Sequence, residues 1–119
     1  MTARNEWVDL YRFRFYMCRN CNELDVETIK DYPDFQKEND NPKGKFRFWC
    51  KGAGYENKIG IYADSLDTLA HECLHASLRI MDLIGMPVDC EHDEPIAHLA
   101  GYLFRTYCKN LYPGMEMKF

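Results

Sequence analysis

The chain has 119 residues, 46% hydrophobic and 29% charged, which is typical of a single folded domain and excludes a disordered chain. Its net charge of −4 gives nucleic-acid binding no electrostatic support. No apolar run approaches the roughly 18 residues that span a bilayer, and the N-terminal residues lack a signal-peptide core. We therefore expect a cytoplasmic protein that binds neither nucleic acid nor membrane.

The N-terminal half predicts three strands. Apolar and polar side chains alternate over residues 8–17, which predicts a strand with a bulge. Residues 46–50, FRFWC, predict a second strand, and residues 58–63, KIGIYA, a third. The two glycines in residues 51–55 indicate a hairpin turn between them. The polar residues 36–45 predict an exposed loop.

Two helices are predicted after these strands. Asp64 or Ser65 can cap the first helix, and Gly85 ends it. The second helix begins near residues 93–95, where proline suits the first turn, and runs to about Lys109. Strands followed by helices indicate an α+β class. We expect one domain with a small antiparallel or mixed sheet of about three strands, then two helices.

The first helix contains the sequence His-Glu-Cys-Leu-His at residues 71–75. Histidines four apart on a helix share one face, with Cβ atoms about 6 Å apart, so His71 and His75 can both bind one zinc ion at about 2.0–2.1 Å. They lie opposite the apolar stripe of this helix. The alternative interpretation is that both histidines simply face solvent and bind no metal. Zinc lowers the pKa of a bound water toward about 7, and Glu72 is the predicted general base. We therefore expect one zinc ion per chain.

A zinc site needs a further protein ligand, and Glu94 follows His75 after eighteen intervening residues. This HExxH-x18-E pattern resembles the gluzincin branch of the zincin metallopeptidases, where a glutamate on the next helix is the third ligand. The resemblance covers Leu69 to about Tyr107. With the segment DEPIAHLAGYL, it also extends to short metallopeptidase-like proteins of phages and prophages. It implies a minimal zincin-like fold, zinc held by His71, His75 and Glu94, and a peptide or protein substrate, met in the host cytoplasm if a phage encodes the chain.

Other residues of the second helix have candidate roles. Glu94 at the helix start could instead stabilise the positive end of the helix dipole. His98, one turn later, stands where gluzincins commonly have an aspartate. It could orient a ligand, be the third ligand itself, or donate a proton. Tyr102 is a candidate for stabilising the oxyanion, with Arg105 and His92 as alternatives.

Small residues predict how the second helix packs. Ala97 and Gly101 share a face with Glu94, so we expect this face to approach the first helix closely. The opposite face is apolar and is expected in the core. By analogy with zincins, we expect the strand before the active-site helix, Ile59–Ala63, to present an open edge to the substrate backbone.

The six cysteines raise the question of a second metal site. Cys18 and Cys21 form a CxxC pair and Cys50 follows the aromatic strand, so three thiolates could hold a structural zinc. A second CxxC is missing, however, and free, half-buried thiols are the preferred interpretation. Cys73 lies on the apolar stripe of the first helix and is predicted to be a core residue.

Three functions compete at this stage. The first is hydrolysis of a peptide bond by zinc-activated water. The second is a catalytically silent zinc-binding accessory protein that binds a protein partner. The third is a zinc amidase or deformylase-like hydrolase acting on a small substrate, and the deformylase-like form would need a cysteine as third ligand, for which Cys50 and Cys90 are available. Glu72 favours an enzyme, because a structural zinc site does not need that carboxylate. The sequence makes no prediction about the oligomeric state.

Overall fold

The computed structural model describes residues 3–37, 42–112 and 114–117. It has a four-stranded sheet and three helices, which confirms the predicted α+β class. The elements in chain order are β1 (Arg4–Val8), β2 (Phe13–Cys18), α1 (Cys21–Asp31), β3 (Gly44–Cys50), β4 (Asn57–Ala63), α2 (Leu66–Leu83) and α3 (Glu94–Leu111). Part of the predicted 36–45 loop, residues 38–41, lies outside the described residues.

The sheet has the strand order β1-β2-β4-β3, one strand more than the sequence predicted. The interpretation of residues 8–17 as a single bulged strand is wrong. They belong to an antiparallel hairpin, β1 with β2, whose turn contains Arg12 at φ 55°. An arginine seldom adopts this left-handed conformation, so its residue type did not indicate the turn. The β3–β4 pair is the predicted antiparallel hairpin, and β2 pairs with β4 in parallel.

Helices cover both faces of the sheet. Alternate side chains of β2 and β4, including Phe15, Met17, Ile59 and Ile61, form the main core with α2 and α3. On the other face, Leu24 of α1 packs with Tyr16, Cys18 and Trp49. Gly60 makes this packing possible, because a Cβ atom there would overlap the Leu24 side chain. The sheet is therefore the central layer, with α1 on one side and the helix pair on the other.

Helix α1 was not predicted, because its buried face is largely acidic instead of apolar. Glu23, Asp25 and Glu27 are all buried. Each carboxylate has an ion-pair partner, and for Asp25 this partner is Arg47 of β3 at 3.1 Å. A local signal did exist, since the side chain of Asn20 accepts a hydrogen bond from the backbone N–H of Glu23. The spacing of these two residues is that of a capping box.

Helices α2 and α3 run antiparallel. The hydroxyl of Ser65 caps α2 by accepting from the backbone N–H of Thr68, as predicted, and Gly85 follows the helix at φ 70°. Ile84 lies beside the β1–β2 and β3–β4 turns, and α3 begins at this same end of the sheet, where His98 lines a cavity with the β1–β2 turn. Among the described residues, no helix is long and apolar enough to cross a membrane.

Candidate metal centre

The two histidines of α2 converge on one point in space. Both side chains are exposed, and their Nε2 atoms lie 3.0 Å apart. The rings meet edge to face at 79°, and the ring of Phe46 on β3 lies nearly parallel to that of His75, with centroids 6.3 Å apart. The sequence spacing alone predicts a shared face. The structure adds that both Nε2 atoms are aimed at the same place.

Glu72 is the third member of this cluster. Its ligand atom and those of His71 and His75 all lie within 4.8 Å of one another. The residue is only 8% exposed, yet within the described part of the chain no hydrogen bond or ion pair reaches its carboxylate. The other three buried acidic residues, Glu23, Asp25 and Glu27, are each ion-paired.

This contrast sets Glu72 apart in physical terms. Buried charges are normally paired or bind metals, but among the described residues no buried side-chain oxygen lacks a hydrogen-bond partner, so the carboxylate oxygens of Glu72 reach solvent although the residue as a whole is mostly covered. The α1 carboxylates follow that rule through their cationic partners. Glu72 departs from it at the one place where two imidazole nitrogens converge. Its carboxylate is unpaired in the described structure and lies within 4.8 Å of both histidine nitrogens, so the three side chains could hold a cation together.

The arrangement fits a small divalent cation such as zinc. Two ligand nitrogens at about 2.0–2.1 Å from a tetrahedral zinc ion would stand about 3.4 Å apart, close to the 3.0 Å observed between the two Nε2 atoms. Imidazole nitrogen suits zinc, copper, nickel and iron, so the donors alone do not select one metal. Structural zinc sites are usually closed by four protein ligands, whereas this cluster joins only three side chains in the described residues.

Strand β3 forms the sheet edge beside this cluster. The expectation that Ile59–Ala63 offers the open edge is wrong, because β4 is paired with β2 on one side and with β3 on the other. The backbone N–H of Asp64 donates to the carbonyl of Lys43 at 2.9 Å. Alternation along an antiparallel pair then turns the main-chain groups of Gly44, Phe46 and Phe48 away from β4. Among the described residues no strand pairs with this outer edge of β3, and the edge runs past His75, whose ring stacks on Phe46.

The structure does not bring Glu94, His98 or Tyr102 to the histidine pair. Glu94 is exposed at the start of α3. At the other end of that helix, Cys108 lies close enough to Cys73 to affect the pKa of its thiol. Glu94 is 14 residues before Cys108, about 21 Å along the helix axis. The role of Glu94 as third ligand stays a prediction, and this placement supports its alternative role at the helix dipole.

His98 and Tyr102 belong to a different part of the surface. Together with Val8 and Leu10 they line a cavity of about 300 Å³ beside the β1–β2 turn. The hydroxyl of Tyr102 donates to a carboxylate oxygen of Glu6 at 2.9 Å. Burial, and then this bond to Glu6, raise the pKa of Tyr102. The other oxyanion candidates also lie elsewhere, since Arg105 lines a cavity with Glu6, and His92 bonds Asp89 at 2.7 Å.

The predicted packing of α3 is half right. Its apolar side chains Ile96, Leu99, Leu103 and Tyr107 are buried in the main core, as predicted. Over most of its length the opposite face is not packed against α2, because Glu94, Ala97, His98 and Arg105 are exposed, and only Cys108 near its end comes close to Cys73. A Cβ atom added to Gly101 would meet only the guanidinium of Arg105, at 3.7 Å. Burial of the large apolar side chains orients the helix and leaves its small residues facing solvent.

The cysteines do not form a second metal cluster among the described residues. None of the six forms a disulfide, and Cys73 is a core residue as predicted. Burial raises the pKa of the Cys18 thiol far above its usual range, which opposes the thiolate form that metals bind. The thiol of Cys50 donates instead to the carbonyl of Gly52 at 3.3 Å.

Sequence reasoning missed two residues that shape the site, Gly44 and Phe46. The alternation in residues 46–50 did place Phe46 and Phe48 on one face, and this was the available signal. Only the packing of β3 against α2 shows that this face contacts His75. Comparisons with protein-family models, with curated proteins and with solved structures gave no match to this chain.

Proposed function

We propose that this chain is a zinc-dependent peptide hydrolase in which His71 and His75 hold the metal and Glu72 is the general base. One observation carries the proposal: the residue Glu72 is mostly covered, yet its solvent-reachable carboxylate has no partner among the described residues and lies within 4.8 Å of two converging imidazole nitrogens. A zinc ion at the pair would use the two nitrogens and offset the negative charge of this carboxylate. The resemblance of HExxH to zincins points to the same assignment.

When bound, zinc activates water as a nucleophile and polarises the carbonyl group to be attacked. The chain supplies the remaining parts. Glu72 takes the proton of the attacking water and returns it to the leaving amine. Phe46 packs on the His75 ring and so limits its orientation. Exposure of both histidines leaves the metal accessible from solvent, as a substrate-binding site requires.

The open edge of β3 favours an extended peptide over a small amide as substrate. Peptides commonly bind as an added strand, with main-chain hydrogen bonds giving affinity and side-chain pockets giving selectivity. The outward main-chain groups of Gly44, Phe46 and Phe48 offer such bonds directly beside His75. A small-molecule amidase would have no use for this length of strand.

The variant Glu72→Gln tests the proposal. Zinc-loaded wild type is incubated with a degenerate peptide mixture, and new N-termini are read by mass spectrometry. We expect wild type to cleave and Glu72→Gln to lose at least about 10²–10⁴-fold in rate, the range of general-base catalysis. Glu91→Gln, which changes an exposed acid in the α2–α3 connection, is the matched control and should cleave normally.

A second readout does not need a substrate. Without metal, Glu72→Gln removes a charge that has no partner among the described residues, so we expect the variant to fold with a midpoint of thermal unfolding no lower than that of wild type. Zinc should still stabilise the variant, since both histidines remain. Equal cleavage by wild type and Glu72→Gln would contradict the proposed role of Glu72.

A further inference from the structure

A groove lies between β3 and α2, immediately next to the histidine pair. It has a volume of about 490 Å³, and His75 is one of its lining residues. The aromatic rings of Phe46 and Phe48 form its strand side, and Leu78, Arg79 and Asp82 form its helix side. The groove is therefore continuous with the proposed metal centre.

Of the two arginines that line the groove, Arg79 is the one whose positive charge is not paired with a carboxylate in the described structure. Its guanidinium carbon lies 4.9 Å from the ring centroid of Phe48, and the side chain is exposed. Among the described residues no carboxylate lies within ion-pair distance of it. Arg47 also lines the groove, but its guanidinium is bonded to Asp25 and Thr28 of α1, on the opposite face of the sheet.

The stacking on Phe48 holds Arg79 ready for a planar anion. A guanidinium that lies over an aromatic ring keeps its N–H donors at the edge free, and these match the two oxygens of a carboxylate. The ring also limits the conformations of the side chain, so less entropy is lost when an anion binds. Asp82 opposes such binding by its charge, yet it forms no ion pair with Arg79 in the described structure.

The spacing of the groove matches that of an extended peptide. Phe46 stacks on His75, and Phe48 stacks on Arg79. The two phenylalanines are two residues apart on the strand, and His75 and Arg79 are about one turn apart on the helix. Side chains two apart on one face of a strand are about 6.6 Å apart. A peptide added to the edge of β3 with one side chain beside His75 would thus place its next side chain on that face at Arg79.

We propose that this groove binds an acidic side chain of the peptide substrate, held by Arg79, so that the protein selects Asp or Glu two residues from the position beside His75. The inference rests on the proposed function and names its substrate class. An internal acid is favoured over a terminal carboxylate, because the open edge of β3 runs past His75 as far as Phe48 and accommodates a chain that continues.

The test measures binding, so it does not depend on turnover. Immobilised Glu72→Gln protein, with and without zinc, is incubated with degenerate octapeptides carrying acetylated N-termini and either free or amidated C-termini, and the retained pool is sequenced. We expect Asp and Glu to be enriched about tenfold over Asn and Gln at one position, equivalent to about 1.4 kcal/mol. The enrichment should be the same with amidated C-termini.

Charge changes in the groove make the test specific. Adding Arg79→Gln should abolish the enrichment, and Arg79→Glu should shift it to Lys and Arg, an outcome that a purely structural role of Arg79 does not give. Asp82→Asn should increase it. Lys51→Gln is the matched control, because Lys51 is also an exposed cation stacked on an aromatic ring, that of Tyr55, and should leave it unchanged.

The outcomes separate this inference from the proposed function. Cleavage by wild type with no acidic preference, or enrichment that requires a free C-terminus, overturns the role of Arg79 and leaves the hydrolase intact. Acidic enrichment that Arg79→Glu reverses, in a protein whose wild type cleaves no retained peptide, supports the groove and counts against hydrolysis. An enrichment that survives Arg79→Gln also overturns the inference.

Discussion

Gly44 of β3 lies directly against the stem of Glu72, so that a Cβ atom at Gly44 would stand 3.3 Å from Cγ of Glu72 and would overlap Cγ2 of Thr68. Strand β3 and helix α2 come into close contact here. The absence of a side chain at this one position lets α2 hold Glu72 beside the histidines. The position of the Glu72 side chain therefore depends on the strand as well as on its own helix.

Gly44→Ala should lower the free energy of unfolding by about 1–3 kcal/mol, the usual cost of overpacking. Denaturant unfolding measures it. Thr68→Ser removes the overlapping methyl group but keeps the hydroxyl that accepts from Ser65, so the double variant should recover most of the loss. Gly101→Ala is the control, since it adds a methyl group to an open helical position and should stabilise by about 0.4–1 kcal/mol. An unchanged stability of Gly44→Ala would contradict the close approach.

Zinc should bind with a stoichiometry of one per chain and raise the midpoint of thermal unfolding, because a ligand of the folded state stabilises it by mass action. His71→Ala and His75→Ala should each abolish both effects. His92→Ala, which removes an exposed histidine outside the cluster, is the control. Metal analysis and calorimetry check this. Two zinc ions per chain would indicate an additional site. No bound zinc after reconstitution would contradict the proposed metal centre.

Competition with a chelator tests the third ligand. The sequence predicts that Glu94→Ala weakens zinc binding far more than His98→Ala does. The described arrangement, with both side chains away from the pair, predicts instead that both variants keep the wild-type affinity, and this is the result we expect. A loss beyond about 10–100-fold in Glu94→Ala would exceed the usual effect of a residue that merely orients a ligand. It would show that α3 moves to bring Glu94 to the metal.

The thiols should differ sharply in reactivity. Burial, with Cys108 nearby, raises the pKa of Cys73 to about 12, and burial raises that of Cys18 still further. At neutral pH both therefore stay protonated and should not react with an aromatic disulfide until the protein unfolds, whereas the exposed Cys90 should react at once. Adding a chelator should not change the number of reactive thiols. Release of Cys18 or Cys21 by the chelator would reveal a cysteine metal site.

Features set by neighbours in the chain could be predicted from the sequence. The extent of α2 follows from the Ser65 cap and from Gly85, and the shared face of His71 and His75 follows from helical periodicity. The residue types of 46–50 and 58–63 likewise predicted two strands, and the glycines between them predicted the turn that joins β3 to β4. In each case the physical cause acts within about one or two helical turns or one hairpin, so the residue types carry the information.

Tertiary structure alone decided the rest, because the determining contacts join distant segments. Helix α1 is buried through the pair of Asp25 with Arg47, which no local pattern contains. The parallel pairing of β2 with β4 places β4 inside the sheet and makes β3 the edge beside His75. The antiparallel course of α3 puts Glu94 far from His71 and His75, although its spacing in the sequence predicted a third ligand. Sequence determined which groups could do the chemistry, and long-range packing decided which of them meet.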